Sequence, residues 1–463
     1  MSDMAQISSY PPSDERTLPT LRTAFGVWLK VALLSFGGPA GQIATMHRIV
    51  VEERRWVSDA RFLHALNYCM LLPGPEAQQL ATYLGWLMHG ARGGALAGLL
   101  FVLPGALAML GLSLLYVTVG TTPVIAGAFY GLKAAVIAIV LQALLRVGRK
   151  ALVGRAQIAL AALAFLALFA FGAPFPVVVA AAGLIGLAAA RADVPGFGSG
   201  VVGASIDADD GSLLGAGLGR RGPTTLRKAA APAAAALALW LAPVAALVYA
   251  LGPGNVFADI ATFFSQMAVV TFGGAYAALT YVAQQAVESY GWLRPGEMLD
   301  GLGLAETTPG PLILVLQFVG FLAAHRAPGG LDPLLAGSLG ALLATWVTFA
   351  PSFFWIFLGA PFVERLRGNR LLSGALAGVS AAVVGVILNL ALWFALHALF
   401  RDARRITWGG LDLAYPLPAS VDPLALALTA AALALTFWLR VGIVTLLALA
   451  AAAGAVCKLT GVV

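Results

Sequence analysis

Long apolar runs separated by short polar loops make up most of the chain. They fall at 24–46, 60–88, 93–117, 121–145, 156–172, 174–190, 229–250, 256–286, 297–324, 334–359, 371–399, 421–438 and 441–461. Many exceed the roughly 18 residues that mark a membrane-helix candidate, so the pattern predicts helices that cross or enter a bilayer. Two long breaks interrupt it, at 191–228 and 400–420. The first is rich in Gly, Ser, Asp and Arg and reads as a flexible linker, a tether more than a binding element. Residues 1–23 are polar, carry Pro11, Pro12 and Pro19, and read as a disordered tail in which no cleavable signal is seen.

Within the apolar runs, helix-breaking signatures occur twice in one register. Ser35-Phe36-Gly37-Gly38 and Pro73-Gly74-Pro75 recur 236 positions later as Thr271-Phe272-Gly273-Gly274 and Pro309-Gly310-Pro311. No gap falls between them, and 11 of the 40 positions from 36 to 75 are identical, among them Glu52/Glu288 and Trp56/Trp292. After a small shift to an offset of 247, Gly131 falls on Gly378, Pro104 on Pro351 and Gln142 on Asn389. One unit therefore covers roughly 24–147 and the other 260–398. The expected fold is an all-α polytopic membrane protein of two inverted-topology repeats with broken or re-entrant helices.

Loop charge supplies the inversion. The loop 47–61 holds Arg48, Arg54, Arg55 and Arg61 against Glu52, Glu53 and Asp59, whereas its counterpart 283–297 has only Arg294 against Glu288 and Glu297. The turn 118–123 is uncharged, while its counterpart holds Arg365, Arg367 and Arg370. The positive-inside rule then puts 47–61 and the Arg146–Arg155 loop in the cytoplasm and inverts the second unit. Three helices between the units (156–172, 174–190, 229–250) are the odd number that inversion requires. Arg401, Arg404 and Arg405 disagree with this scheme. Segments 24–46 and 60–88 become hairpins that return to the side they entered, with kinked spanning helices as the alternative.

Composition agrees with a membrane protein. The 463 residues are 60% hydrophobic and 11% charged, against about 25% charged in soluble domains. The mean hydropathy is +0.89. The net charge of +7 is scattered in short loops, which fits positive-inside loops and not a nucleic-acid face. Cys69 and Cys457 read as buried small hydrophobes, and no metal-ligand spacing is present. His47, His64, His89, His325 and His397 form no catalytic set, so a membrane-embedded enzyme is disfavoured, and no cofactor is expected.

Broken backbone at membrane depth is tolerated where protein or a water-filled cavity satisfies it, and in transporters that is where substrates bind. A new helix starts after Pro75 and another after Pro311, and such N-termini attract anions; packing kinks without a ligand are the alternative. Lys30 and Lys133 lie inside apolar segments, where they either attract an anion or snorkel. Glu76 either carries a coupling proton or favours its own helix N-terminus. Gln79, Gln142, Asn389, Thr307 and Thr308 are neutral donors, and His47 and Arg48 read as interfacial.

These residues resemble the chromate ion transporter family, long two-domain type. Phe36-Gly37-Gly38-Pro39, Glu52, Trp56-Val57, Leu72-Pro73-Gly74-Pro75 with Gln79, and Gly85-Trp86 are similar to its first domain. Phe272-Gly273-Gly274, Glu288, Trp292-Leu293, Thr308-Pro309-Gly310-Pro311 and Gly320 are similar to its second. The resemblance implies chromate export from the bacterial cytoplasm across the inner membrane, driven by the proton motive force or by exchange with sulfate. Sulfate or another oxyanion as the substrate stays open, as does a homodimer. The second copy lacks a residue like Pro39 and has Leu312 for Glu76, which makes the first half the expected seat of charge chemistry. The expected substrate site is Ser35, Phe36, Gly37, Gly38, Pro73, Gly74, Pro75, Gln79 and Lys133, with Thr271, Phe272, Gly273, Gly274, Thr308, Pro309, Gly310 and Pro311. Glu76 and Lys30 are the coupling residues. The expected division is a tail (1–23), a first repeat with extra helices (24–190), a linker (191–228), a second repeat (229–400), and a loop with a C-terminal helix pair (401–463).

Overall fold

The computed structural model describes residues 18–36, 38–198, 212–214, 226–272, 275–294, 296–360, 369–408 and 411–461. The first unit runs α1 (Leu21–Leu34), α2 (Gly38–His47) with a π turn at Arg48–Glu53, α3 (Asp59–Cys69), α4 (Glu76–Val119), α5 (Pro123–Ala151), α6 (Arg155–Phe169) and α7 (Phe175–Arg191). The next described helix along the chain with both ends defined is α8 (Leu226–Leu251). The second unit runs α9 (Val256–Val270), α10 (Ala275–Gln284) with a π turn at Gln285–Ser289, α11 (Glu297–Thr307), a 3-10 turn at Leu312–Leu314, α12 (Val315–Arg326), α13 (Pro333–Gly359) and α14 (Arg370–Leu399). An antiparallel hairpin of β1 (Ala403–Trp408) and β2 (Leu411–Pro416) fills the break at 400–420, before α15 (Pro423–Phe437) and α16 (Ile443–Leu459). Five helices, α4, α5, α8, α13 and α14, are long and apolar enough to cross a membrane. The protein is an all-α polytopic membrane protein, with one small hairpin added.

The helices around the breaks are short. α1, α2 and α3 have 14, 10 and 11 residues. Their counterparts α9, α10 and α11 have 15, 10 and 11. At 1.5 Å per residue each covers at most about 22 Å, less than a hydrocarbon core about 30 Å thick. α4 is two helices joined at His89 and Gly90, where φ is −131° and +65°. Its halves fold back on each other through glycine: a Cβ on Gly85 would stand 2.7 Å from that of Ala97, and one on Gly94 2.9 Å from the Thr82 carbonyl. The α12–α13 pair repeats this, with Gly320 facing Ala344 at 2.6 Å. Small residues let backbones approach where lipid gives no hydrophobic drive between helices.

The two units are interlocked. α5 packs against α15 and α16, and α14 packs against α6 and α7. The contacts are exchanged position for position. A Cβ on Gly131 would overlap the Ala450 carbonyl of α16, and one on Gly378 the Ala182 carbonyl of α7. Gly454 abuts Gly127 and Gly131, as Gly186 abuts Gly374 and Gly378. Gly127 and Gly131 precede Gly374 and Gly378 by 247 positions, and Ala182 and Gly186 precede Ala450 and Gly454 by 268. Contacts made in exchange between equivalent positions are what a two-fold relation produces.

This packing widens the repeat. α6 and α15 have 15 residues each and start 268 positions apart, at 155 and 423; α7 and α16 have 17 each and start at 175 and 443. The unit bounds of 24–147 and 260–398 are therefore too narrow, and α6 and α7 belong to the first unit and not to the connection between the two. α6, α7, α15 and α16 are mostly Ala, Leu and Val, so their equivalence shows in packing and not in sequence identity. Within the stretch 191–228, the described Leu213 and Leu214 are tied to the first unit. Leu213 and Leu214 donate backbone N–H to the carbonyls of Arg55 and Trp56 at 3.0 and 3.1 Å, and Arg61 Nη1 donates to the Leu214 carbonyl at 2.6 Å. Cys69 is buried, but Cys457 is part-exposed.

Overfilling such a helix contact costs about 1–3 kcal/mol or more. Gly131→Leu and Gly378→Leu are each expected to lower the thermal unfolding midpoint of the purified protein. Gly26→Leu, with nothing within 4 Å of its new Cβ, leaves it near wild type. Equal midpoints for Gly131→Leu and Gly26→Leu would reject the interlocked packing.

Candidate functional site

The breaks of the two units meet, and backbone hydrogen bonds tie them crosswise. Gly74 N–H donates to the Thr271 carbonyl at 2.8 Å, and Gly310 N–H donates to the Ser35 carbonyl at 2.8 Å. Each donor belongs to one unit's PGP and each acceptor to the other unit's FGG break. Ser35 and Thr271 are buried, and their hydroxyls donate to the carbonyls of Val31 and Met267, both at 2.6 Å, which ends α1 and α9 in the same way. Gly74 and Gly310 sit at φ +118° and +97°, where side-chain-bearing residues are strained. The surroundings are exchanged too. Ser352 Oγ of α13 lies 3.2 Å from a Cβ placed on Gly74, and Gly105 of α4 lies 3.5 Å from one on Gly310. Ser352 and Gly105, next to Pro351 and Pro104, are equivalent at the 247 offset.

Two helix N-termini open at this crossing without caps. Thr20, Ser58, Asn255, Asp332, Asn369 and Asp422 each accept a first-turn N–H, while Thr122, Gly154, Pro174, Gly296 and Gly442 do not cap with a side chain. Pro75 and Pro311 stand at the N-cap positions of α4 and of the Leu312–Leu314 turn, and neither caps with a side chain. The orphan N–H groups and the positive dipole end suit an anion. Side chains brace the tips: Gln79 Nε2 donates to the Pro73 carbonyl at 2.7 Å, and Gln42 Nε2 to the Gly310 carbonyl at 2.6 Å. Gln78 is fully buried, yet neither its Oε1 nor its Nε2 has a hydrogen-bond partner among the described residues, and Ser352 Oγ has none either. A buried amide left unpaired costs about 1–3 kcal/mol.

The structure brings Ser35, Pro73, Gly74, Pro75, Gln79, Thr271, Thr308, Pro309, Gly310 and Pro311 to the crossing. Phe36, 37% exposed, and the partly buried Phe272 follow Ser35 and Thr271 at the breaks. Gly38 opens α2 at φ +70°. Gly37, Gly273 and Gly274 lie outside the described residues. Thr307 and Thr308 donate their hydroxyl protons to the carbonyls of Leu304 and Ala305, at 2.7 and 3.0 Å. Gln142 and Asn389 lie on α5 and α14, and Asn389 lines a cavity of about 80 Å³ with Thr280 and Gln284.

The lysines lie elsewhere. Lys30 pairs with Glu53 at 2.7 Å with 45% of its side chain exposed, and its ammonium holds the Glu53 carboxyl below the usual range. His47 bonds Asp59 at 2.6 Å and Glu52 at 3.2 Å, in the same polar loop. Lys133 pairs with Asp300 at 3.5 Å, and Tyr116 donates to the same carboxylate at 3.0 Å. That group lines a cavity of about 430 Å³ with Arg294, Glu297 and Arg326. Arg326 and Glu297 form a two-point pair there, at 2.9 and 2.6 Å. Glu76 is partly buried and makes no hydrogen bond or ion pair among the described residues.

Sequence reading missed Gln42, Gln78, Ser352, Tyr276, Asp300 and Glu306. Glu306 is 2% exposed and accepts from Tyr276 Oη at 2.9 Å; Asp300 is 4% exposed. Both acids sit inside the apolar segment 297–324, and the principle that singled out Lys30 and Lys133 applies equally to them. They lie in the second unit. No sequence signal marks Gln42 or Ser352, because their role depends on the other unit.

Residues 22–187 and 258–455 match the model of the chromate transporter family, two stretches that leave α8 between them. The chain is 37% identical over 371 residues to the chromate transport protein of Pseudomonas aeruginosa, covering 78% of each chain. It is 30% identical over 369 residues to a Synechococcus elongatus protein named "probable chromate transport protein", covering 78% of this chain and 81% of the relative. It is 29% identical over 372 residues to the chromate transport protein of Cupriavidus metallidurans, covering 80% and 81%. No solved structure matches the chain. With its breaks paired across two units and both units matched, the chain belongs to the chromate transporter family.

Proposed function

We propose that the protein is a secondary transporter that exports chromate from the cytoplasm across the inner membrane and so confers chromate resistance. The family match and the relatives' names support the substrate. The observation that carries the mechanism is the crossing: two PGP tips held by reciprocal bonds, each followed by an uncapped helix start. The tetrahedral dianion binds between these starts, where orphan N–H groups and the Gln78 amide replace its water. The two units are inverted in the bilayer, and rocking of one against the other alternates access to the anion. Coupling is to the proton motive force or to exchange with another anion such as sulfate. An interior-negative potential itself favours outward movement of a dianion by about 4.6 kcal/mol per 100 mV, twice the value for one charge.

Everted vesicles energised with a proton gradient are expected to accumulate radiolabelled chromate. The signal should collapse with an uncoupler, fall with excess sulfate if sulfate competes, and vanish in Gly74→Leu. No accumulation in well-energised wild-type vesicles rejects chromate export under proton drive.

Gln78→Leu removes the unpartnered amide with little change of volume. Losing a hydrogen bond to a charged group costs about 1.5–3 kcal/mol, or about 10- to 100-fold in affinity. The apparent KM for chromate should rise by that factor at unchanged membrane abundance; an unchanged KM removes Gln78 from the site. Single cysteines in loops 47–61 and 283–297 should label from opposite sides of the membrane, and labelling of both from one side would falsify the inverted arrangement.

A further inference from the structure

Beyond the crossing, Glu306 lies in the last turn of α11. It is 2% exposed. Its Oε1 accepts from Tyr276 Oη at 2.9 Å, while its buried Oε2 has no hydrogen-bond partner among the described residues. No cation lies within ion-pair distance of it among the described residues, in contrast to Asp300 with Lys133 and Glu297 with Arg326. The charged and titratable groups that face it are Tyr276 from α10 and, at longer range, Arg146 from α5. Asp300, six residues earlier on α11, lies about 9 Å away along the axis and is taken up by Lys133 and Tyr116.

Its position ties it to the anion path. Thr307, Thr308 and the second PGP follow it directly. Its partner Tyr276 reaches the other unit: Tyr276 Oη lies 3.8 Å from a Cβ placed on Gly38, at the first FGG break. The arrangement is single, because 236 positions earlier Glu306 and Tyr276 become Met70 and Ala40. A desolvated carboxylate with one oxygen unpaired is costly, and the same carboxylate beside a dianion is costlier. A proton on Oε2 removes both costs and leaves Oε1 to accept from Tyr276.

We propose that Glu306 is a proton-binding site of the transport cycle, taking up one proton at Oε2 when the oxyanion binds at the neighbouring PGP tip. The neutral acid is the anion-binding form, and the Glu306–Tyr276 hydrogen bond carries its state to the FGG break of the other unit. This rests on the transport reading above, so two readouts are needed, one of which involves no anion.

The first is infrared difference spectroscopy of the full chain in lipid, titrated without substrate. A buried protonated-carboxyl band should appear as the pH falls and be missing in Glu306→Gln, while Glu306→Asp retains a shifted band. Chromate added to wild type should move that titration to higher pH. The second is chromate–chromate exchange in proteoliposomes as a function of pH. Wild-type affinity should weaken by about tenfold per pH unit on the alkaline arm, the slope of one proton per site. Glu306→Gln should lose that slope relative to wild type, and Glu306→Asp should keep it. The anion's own protonation is common to all three proteins and cancels in the ratio. A band that persists in Glu306→Gln, or an unchanged slope in that variant, overturns the proposal. A band lost in Glu306→Gln with no chromate exchange in wild type supports the proton site and rejects chromate as the substrate.

Discussion

The structure depends on one constraint: a peptide group at membrane depth must find a partner. Helices broken at Ser35–Phe36, Pro73–Pro75, Thr271–Phe272 and Pro309–Pro311 expose backbone that lipid cannot satisfy. The two units solve this for each other. Gly74 N–H fills the need of the Thr271 carbonyl, and Gly310 N–H fills that of Ser35. Neither unit alone can do so, since each donor and its acceptor come from different copies. The bonds reach only as far as the glycines, and the helix starts just beyond Pro75 and Pro311 are left with free N–H groups. The same arrangement that satisfies the breaks thus leaves polar groups unpaired beyond them.

The interlocked helices extend this mutual dependence. With α5 lodged against α15 and α16, and α14 against α6 and α7, the units cannot separate without exposing glycine-lined seams. Close-packed seams of this kind switch between discrete arrangements more readily than they deform.

Two-fold packing has not produced two-fold chemistry. The backbone exchange is symmetric, yet the buried acids belong to the second unit: Asp300 and Glu306 stand where the first unit has His64 and Met70. Gln78 and Gln79 belong to the first, where the second has Leu314 and Val315. The first unit supplies neutral amide groups at its tip, and the second supplies one carboxylate, Glu306, beside its own. A duplicated scaffold has diverged in side chains while keeping the glycines and prolines that shape its backbone.

The sequence by itself determined the class of the fold, the duplication and the positions of the breaks. Those features are local: apolar length calls for lipid, Pro and Gly stop helices wherever they occur, and an ungapped offset of 236 cannot hide. The same local rule could have marked Asp300 and Glu306 as buried acids. Tertiary structure alone decided which groups meet. That Lys133 is taken up by Asp300, that Gly74 faces Thr271 and not its own FGG, and that α6–α7 and α15–α16 complete each other's units all follow from contacts between residues far apart in the chain. Alanine- and leucine-rich helices carry almost no information about their partners, because any smooth apolar face fits another until the glycines are set against each other in space.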